Sequence, residues 1–223
     1  MVKINVVGVD LGGWGMDNTA LAVSTITPTE SRFKLYPSFS EWLEYARYGP
    51  SYLYEVRHLE RLPLGTNTPK IAQIVQKIIS NLPGETPILI DITATGRTGM
   101  DPFLQIGLPC LAVTITGGDT ITSEGRYIRT PKRDLIGNMK IAFEAGEMKI
   151  ARGLPDADTL IRELMAFRMK PKISTWSGDM EEWREGTSDD LVFAVALSCF
   201  GGRWLCESSG PVLIDQQIEE YQI

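Results

Sequence analysis

Three short apolar runs, each bounded by a carboxylate, constrain this chain more than anything else in it. Asp10 ends Ile4-Asn5-Val6-Val7-Gly8-Val9, Asp91 ends Pro87-Ile88-Leu89-Ile90, and Asp189-Asp190 opens Leu191-Val192-Phe193-Ala194-Val195-Ala196-Leu197. The first two runs, short and β-branched, read as buried strands; the third, behind Ser188 as a candidate N-cap, reads as a buried helix. Acids placed beside the most buried elements of one small domain repel one another unless a cation neutralises them. Oxygen ligands alone, in a chain whose only histidine is His58, point to Mg²⁺ or Mn²⁺ rather than zinc.

The segments around these runs alternate in a recognisable order. Residues 4–10 and 19–25 read as two strands joined by the glycine-rich 11–18, a length that suits a hairpin connection. The polar–apolar alternation of 52–62 gives a third, half-exposed strand, and 38–49 a short helical insertion. Thr68-Pro69 starts a helix to about Asn81 that carries Ile71, Ile74, Val75, Ile78 and Ile79 on one face. Strands follow at 87–91 and 111–115, separated by a short helix from Asp101, for which Asp101 is the expected N-cap. Residues 116–130 read as a long loop, a feature often functional in a compact domain. Helices at 132–145 and 156–167 enclose a short strand at 147–151, and 168–187 reads as a β-hairpin before the last helix. The order β-β-β-α-β-α-β-α predicts an α/β fold: a mixed five-stranded sheet with its first three strands antiparallel, flanked by helices, with an extra C-terminal hairpin. Domain organisation is expected to be one unit over 1–205 and a tail over 206–223, since periodicity weakens after Gly201-Gly202.

Composition excludes several classes. With His58 as the only histidine, a His-rich zinc site or a Ser-His-Asp triad is a poor fit. Cys110, Cys199 and Cys206 lack metal-type spacing and read as reduced core residues rather than a disulfide framework. No apolar stretch reaches membrane-spanning length and no signal peptide precedes the first strand, so a cytoplasmic protein without a membrane partner is expected. The P-loop pattern of many ATPases is absent. A net charge of −6 argues against a polyanionic partner, but Arg126, Arg129, Lys132 and Arg133 cluster locally and can form a basic rim. A solvated face is the plain alternative.

Placed side by side, strands 4–10 and 87–91 would deliver Asp10 and Asp91 to one end of the sheet, and the last helix could bring Asp189 or Asp190 there. Such a set can hold two divalent cations roughly 3.5–4 Å apart, which would activate a water and stabilise a leaving 3′-oxygen. Helix capping explains one aspartate of the Asp189-Asp190 pair but not both. Asp17 can either orient the hairpin through local hydrogen bonds or serve behind the ligands.

These residues resemble the nuclease domain of the large terminase subunit of tailed bacteriophages, in the ribonuclease H-like and resolvase-like superfamily. The resemblance rests on Val9-Asp10-Leu11-Gly12-Gly13 with Asp17-Asn18-Thr19-Ala20-Leu21, and on Ile90-Asp91-Ile92-Thr93-Ala94-Thr95-Gly96. It continues through Lys132-Arg133-Asp134-Leu135, Gly146-Glu147-Met148-Lys149-Ile150, Leu154-Pro155 and Arg162-Glu163-Leu164 with Phe167, to Ser188-Asp189-Asp190-Leu191-Val192. It implies a metal-dependent endonuclease that cleaves double-stranded viral DNA concatemers during genome packaging in the host cytoplasm. Asp10, Asp91, Asp189 and Asp190 would be its catalytic metal ligands, with Asp10 bridging two Mg²⁺ or Mn²⁺ ions and Asp17 behind them. DNA phosphates would meet Arg126, Arg129, Lys132 and Arg133, in contacts that are sequence-independent and salt-sensitive. A terminase ATPase domain or subunit, the portal and the small terminase subunit would be its partners; the ATPase domain that normally precedes this nuclease is not found in the chain. The family often has His where Ser188 stands, so no role for that histidine carries over. A resolvase-type nuclease would use the same carboxylates on branched DNA. In another class, Gly8-Val9-Asp10-Leu11-Gly12-Gly13 resembles the first phosphate loop of sugar-kinase or actin-like ATPases, which need a second related domain.

Overall fold

Alternation along β1 (Ile4–Asp10) sends its side chains into two different apolar layers. Ile4 and Val6 enter one core cluster, while Val7 and Val9 enter the other. The computed structural model of the protein describes residues 3–13, 17–29, 52–167 and 189–209. β1 pairs antiparallel with β2 (Ala20–Pro28), which pairs antiparallel with β3 (Tyr52–Arg61). On its other side β1 pairs in parallel with β4 (Ile88–Asp91), and β4 with β5 (Cys110–Thr116). These are the five strands expected from the sequence, with the first three antiparallel.

The sheet is wider than that expectation. It has eight strands in the order β6-β7-β5-β4-β1-β2-β3-β8. Residues 116–130, read from sequence as a loop, contain most of the hairpin β6 (Thr122–Glu124) and β7 (Tyr127–Pro131), which extends the sheet beyond β5. The reason it escapes sequence reading is physical: β6 is exposed throughout, so no apolar alternation marks it. Its two-residue turn has Gly125 at φ 54°, a conformation that costs glycine little. At the opposite edge β8 (Met148–Ile150) pairs in parallel with β3.

One face of the sheet is covered by α1 (Thr68–Ile79), whose N-cap Asn67 accepts the Lys70 N–H at 3.0 Å and whose Ile71, Ala72 and Val75 are buried. On that face too lie a 3₁₀ turn (Arg97–Met100) and α2 (Asp101–Gln105), which place Met100 and Phe103 in the core. Asp101 is not the N-cap expected. The 3₁₀ turn runs straight into α2, so Met100 takes the cap position and Asp101 falls in the first turn. The other face carries α3 (Lys132–Glu144), α4 (Ala157–Ala166) and α5 (Asp190–Ser209). α5 passes through Gly201-Gly202 without a break, because those glycines abut the side chains of Leu89 and Ile26; its last turn lies beyond residue 205. The expected insertion at 38–49 and hairpin at 168–187 lie outside the described residues. None of the three cysteines forms a disulfide, and burial pushes the thiols of Cys110 and Cys199 up to about 12. Among the described residues no helix is long and apolar enough to cross a membrane.

Candidate metal centre

A single row crosses the sheet where β1 ends. Arg61 on β3 faces Ala20 on β2, Ala20 faces Asp10, Asp10 faces Asp91 on β4, and Asp91 faces Val113 on β5. Asp10 shares its strand face with Val6 and Gly8, and Asp91 with Leu89, so both carboxylates project to the side covered by α5. Adjacent strands lie about 4.8 Å apart, which makes the two acids immediate neighbours.

Gly8 is what lets α5 come down to them. A methyl group on Gly8 would overlap the carbonyl oxygen of Ala194 and stand 2.8 Å from the Ser198 nitrogen. Ser24 and Ser198 share a 2.6 Å hydrogen bond that ties the same helix to β2. With the helix in this position, its first residue Asp190 and the preceding Asp189 arrive at the end of β1. Asp189 takes the cap position, its carbonyl accepting the Phe193 N–H at 3.1 Å. Ser188, the N-cap expected from sequence, lies outside the described residues.

The electrostatics report the same convergence. The Asp10 carboxyl is held well above the usual carboxylate range, first by burial and then by the charges of Asp91, Asp190, Asp189 and Asp17, in that order. Asp91 is also raised: burial outweighs the Thr93 hydroxyl and N–H and the positive charge of Lys132. An acid that must ionise among four others is a site in want of positive charge.

Two contacts turn these carboxylates toward protein partners. Oδ1 of Asp91 accepts the Thr93 N–H at 2.7 Å and its hydroxyl at 2.5 Å, while the same hydroxyl oxygen accepts the Ile115 N–H at 2.8 Å. Oδ2 of Asp190 lies 3.1 Å from Nη2 of Arg61, which also pairs with Glu163. In this arrangement no three His, Cys, Asp or Glu side chains among the described residues stand as a ready ligand set. The fit to a metal is therefore one of placement and chemistry: carboxylates alone, gathered around the partly buried Asp10, whose ionisation they oppose. Asp10, Asp91, Asp190 and Asp189 are the residues that would hold a hard divalent cation.

The remaining expected residues fall around this centre. Asp17 is exposed in the β1–β2 turn, which the Gly12 N–H closes onto the Thr19 hydroxyl at 3.0 Å, and it acts on Asp10 through its charge. Lys132, the first residue of α3, sits with Nζ 4.7 Å from the Phe193 ring centroid and close enough to Asp91 to act on its charge. Arg133 is engaged by Asp119 at 2.6 Å and Asp134 at 3.5 Å. Arg129 is exposed on β7, and Arg126 lies in the β6–β7 turn, acting on Cys110. The sequence did not point to Arg61 as part of the site, and to Thr93 and Glu163 only within longer segments, without a role. Thr93 had a usable signal, since a threonine two residues beyond an aspartate suits a local side-chain turn.

No protein-family model matches the sequence, and no curated protein does. Among solved structures the chain is similar to the large terminase nuclease from thermophilic phage G20c, determined with bound zinc. The two share 18% identity at a TM-score of 0.50, over 89% of this chain and 81% of that one. The fold is ribonuclease H-like. In this fold the central parallel pair β1–β4 carries the acids, and the antiparallel β2 and β3 carry the row on to Arg61.

Proposed function

We propose that this chain is a divalent-metal-dependent DNA endonuclease that cuts double-stranded viral DNA concatemers during genome packaging. The observation that supports it most is the register pairing of Asp10 with Asp91 beneath the start of α5, which surrounds the partly buried Asp10 with the charges of Asp91, Asp190, Asp189 and Asp17. The likeness to a zinc-bound terminase nuclease supports the same reading.

Asp10, whose carboxyl feels the charges of the other acids, would hold two divalent cations, Mg²⁺ or Mn²⁺, together with Asp91, Asp190 and Asp189. Asp91 and Asp190 stand on either side, with Asp189 beside Asp190 and Asp17 behind. When bound, the cations supply the Lewis acidity that activates a water and stabilises the leaving 3′-oxygen. The chain's own residues do the holding: the Thr93 turn fixes Asp91, the helix start fixes Asp190, and the cover of α5 partly desolvates Asp10, which strengthens its pull on a cation. Lys132, beside Asp91, and Arg129, with Arg126 and Arg133, are the candidates to meet DNA phosphates in this reading. A terminase ATPase domain or subunit, the portal and the small terminase subunit are the partners of this reading.

The test is nicking of supercoiled plasmid by wild type and Asp10→Asn with Mn²⁺, Mg²⁺ or EDTA. Cutting should require the metal and fall by orders of magnitude in the variant. Cutting in EDTA, or an unaffected Asp10→Asn, would sink the mechanism; preference for four-way junctions over linear duplex would favour the resolvase-type reading.

A further inference from the structure

Arg61 is a cation built into a row of acids. It occupies the register position two strands from Asp10, on the face covered by α5, and its side chain is 22% exposed. Its guanidinium reaches Oδ2 of Asp190 at 3.1 Å and pairs with Glu163, a residue 5% exposed. Glu163 in turn accepts the N–H groups of Leu191 and Val192 through Oε2, at 3.0 and 3.2 Å. The backbone N–H of Arg61 also donates to Oδ2 of Asp156 at 3.0 Å, where α4 begins. The contacts close a ring: Arg61 binds Glu163, Glu163 binds the first turn of α5, and that turn carries Asp190 back to Arg61. Asp190 is thereby fixed through its helix and through its carboxylate at once.

We propose that Arg61, anchored by Glu163, is the positioning residue for Asp190 and a built-in competitor of the cation that Asp190 helps to bind. This rests on the assignment of Asp190 to the metal centre. One guanidinium nitrogen, Nη2, is shared between Glu163 and Oδ2 of Asp190; the rigid guanidinium plane fixes where that nitrogen lies, which a flexible ammonium does not, so it holds one oxygen of Asp190 and sets the direction in which the other faces. The same positive charge repels an arriving divalent cation. Affinity for metal is thus lower, and the orientation of the ligand sharper, than the acids alone would give.

The two effects separate in one experiment. Mn²⁺ is titrated calorimetrically into metal-stripped wild type, Arg61→Gln, Arg61→Lys and Glu163→Gln, and plasmid nicking is followed at saturating Mn²⁺. Removing the charge in Arg61→Gln should lower the half-saturating Mn²⁺ concentration about threefold to tenfold. It should also slow nicking at saturation by about tenfold or more. Arg61→Lys, which keeps the charge and is the safer variant to fold, should bind Mn²⁺ like wild type and still cut slowly. Glu163→Gln keeps the acceptor for the helix N–H groups while loosening Arg61, and should move both readouts in the direction of Arg61→Gln. Arg61→Gln that leaves both readouts unchanged, or that weakens Mn²⁺ binding along with cutting, overturns the proposal, since the second pattern is that of a merely structural residue. Arg61→Lys at full speed overturns it as well. A wild type that takes up no Mn²⁺ overturns the metal centre and this assignment together, whereas the other failures strike Arg61 alone.

Discussion

Both faces of the sheet carry an apolar core, yet they are built for different tolerances. The face under α1 is filled by an amphipathic helix that buries Ile71, Ala72 and Val75 and leaves Lys70, Gln73, Gln76 and Lys77 outward. Its contacts are side chain on side chain, which can relax when one of them changes. The face under α5 is different. That helix is buried on all sides from Leu191 to Leu197, and at Gly8 and Ala194 backbone rests on backbone. A helix pressed that close has no soft layer beneath it, and its N-terminal carboxylates inherit that fixed height above Asp10. The difference teaches where precision is stored: the α1 face holds the sheet together, while the α5 face also sets the geometry of the acids.

The largest expected effect tests this contrast directly. Gly8→Ala should lower the unfolding free energy by about 3 kcal/mol or more, since the added methyl meets a carbonyl that cannot rotate away. Ile71→Val on the other face should cost only about 0.5–1.5 kcal/mol. Urea denaturation gives both values, and Mn²⁺-induced stabilisation should vanish in the first variant and survive in the second. Equal costs on the two faces would remove the distinction. Next comes Asp10→Asn measured in EDTA. Taking one charge out of the cluster should raise the thermal midpoint, by about 2–4 °C for each kcal/mol of relieved repulsion and burial. The same variant should lose the upward shift that Mn²⁺ gives the wild type. A lower midpoint in EDTA would mean the acid cluster carries no strain.

The smallest effect concerns pH. Burial, with the neighbouring charge of Asp190 adding to it, pushes Glu163 up to about 7 against the opposing pull of Arg61 and the Val192 and Leu191 N–H groups. Because its folded value lies above the ordinary 4.5, the folded state holds a proton that the unfolded state has lost. The stability this group contributes is complete below about pH 4.5 and disappears as pH rises through about 7. Melting midpoints of metal-stripped protein should therefore fall across that window, and Glu163→Gln should fall less. Parallel slopes for the two would show that Glu163 does not titrate there.

What the sequence made legible follows the same physics. Ile4–Val9 and Ile88–Ile90 announce buried strands because both their faces are apolar, so the sheet centre and the ends bearing Asp10 and Asp91 could be located in advance. The Leu191–Leu197 run announced a helix buried all round, and with it the place of Asp190. The β6–β7 hairpin was hidden because exposed Thr122, Ser123 and Glu124 carry no apolar period. Asp101 looked like a cap because sequence does not show that a 3₁₀ turn already precedes it. Arg61 and Glu163 were hidden for a different reason. They lie 102 residues apart, each in an amphipathic element where a charge reads as solvent-facing, and only the fold makes them a pair.

The pairing of Asp10 with Asp91 has one more consequence. β1 and β4 each feed alternate residues into two separate cores: Val6 and Leu89 into one, Val7, Val9, Ile88 and Ile90 into the other. A slip of one residue between these strands would invert both layers of β4 at once, exchanging buried for buried but reversing every packing partner. The hydrophobic sorting that completes the sheet is therefore also a proofreading step for the acids. A chain that has completed this sheet has brought Asp10 and Asp91 abreast in the same step.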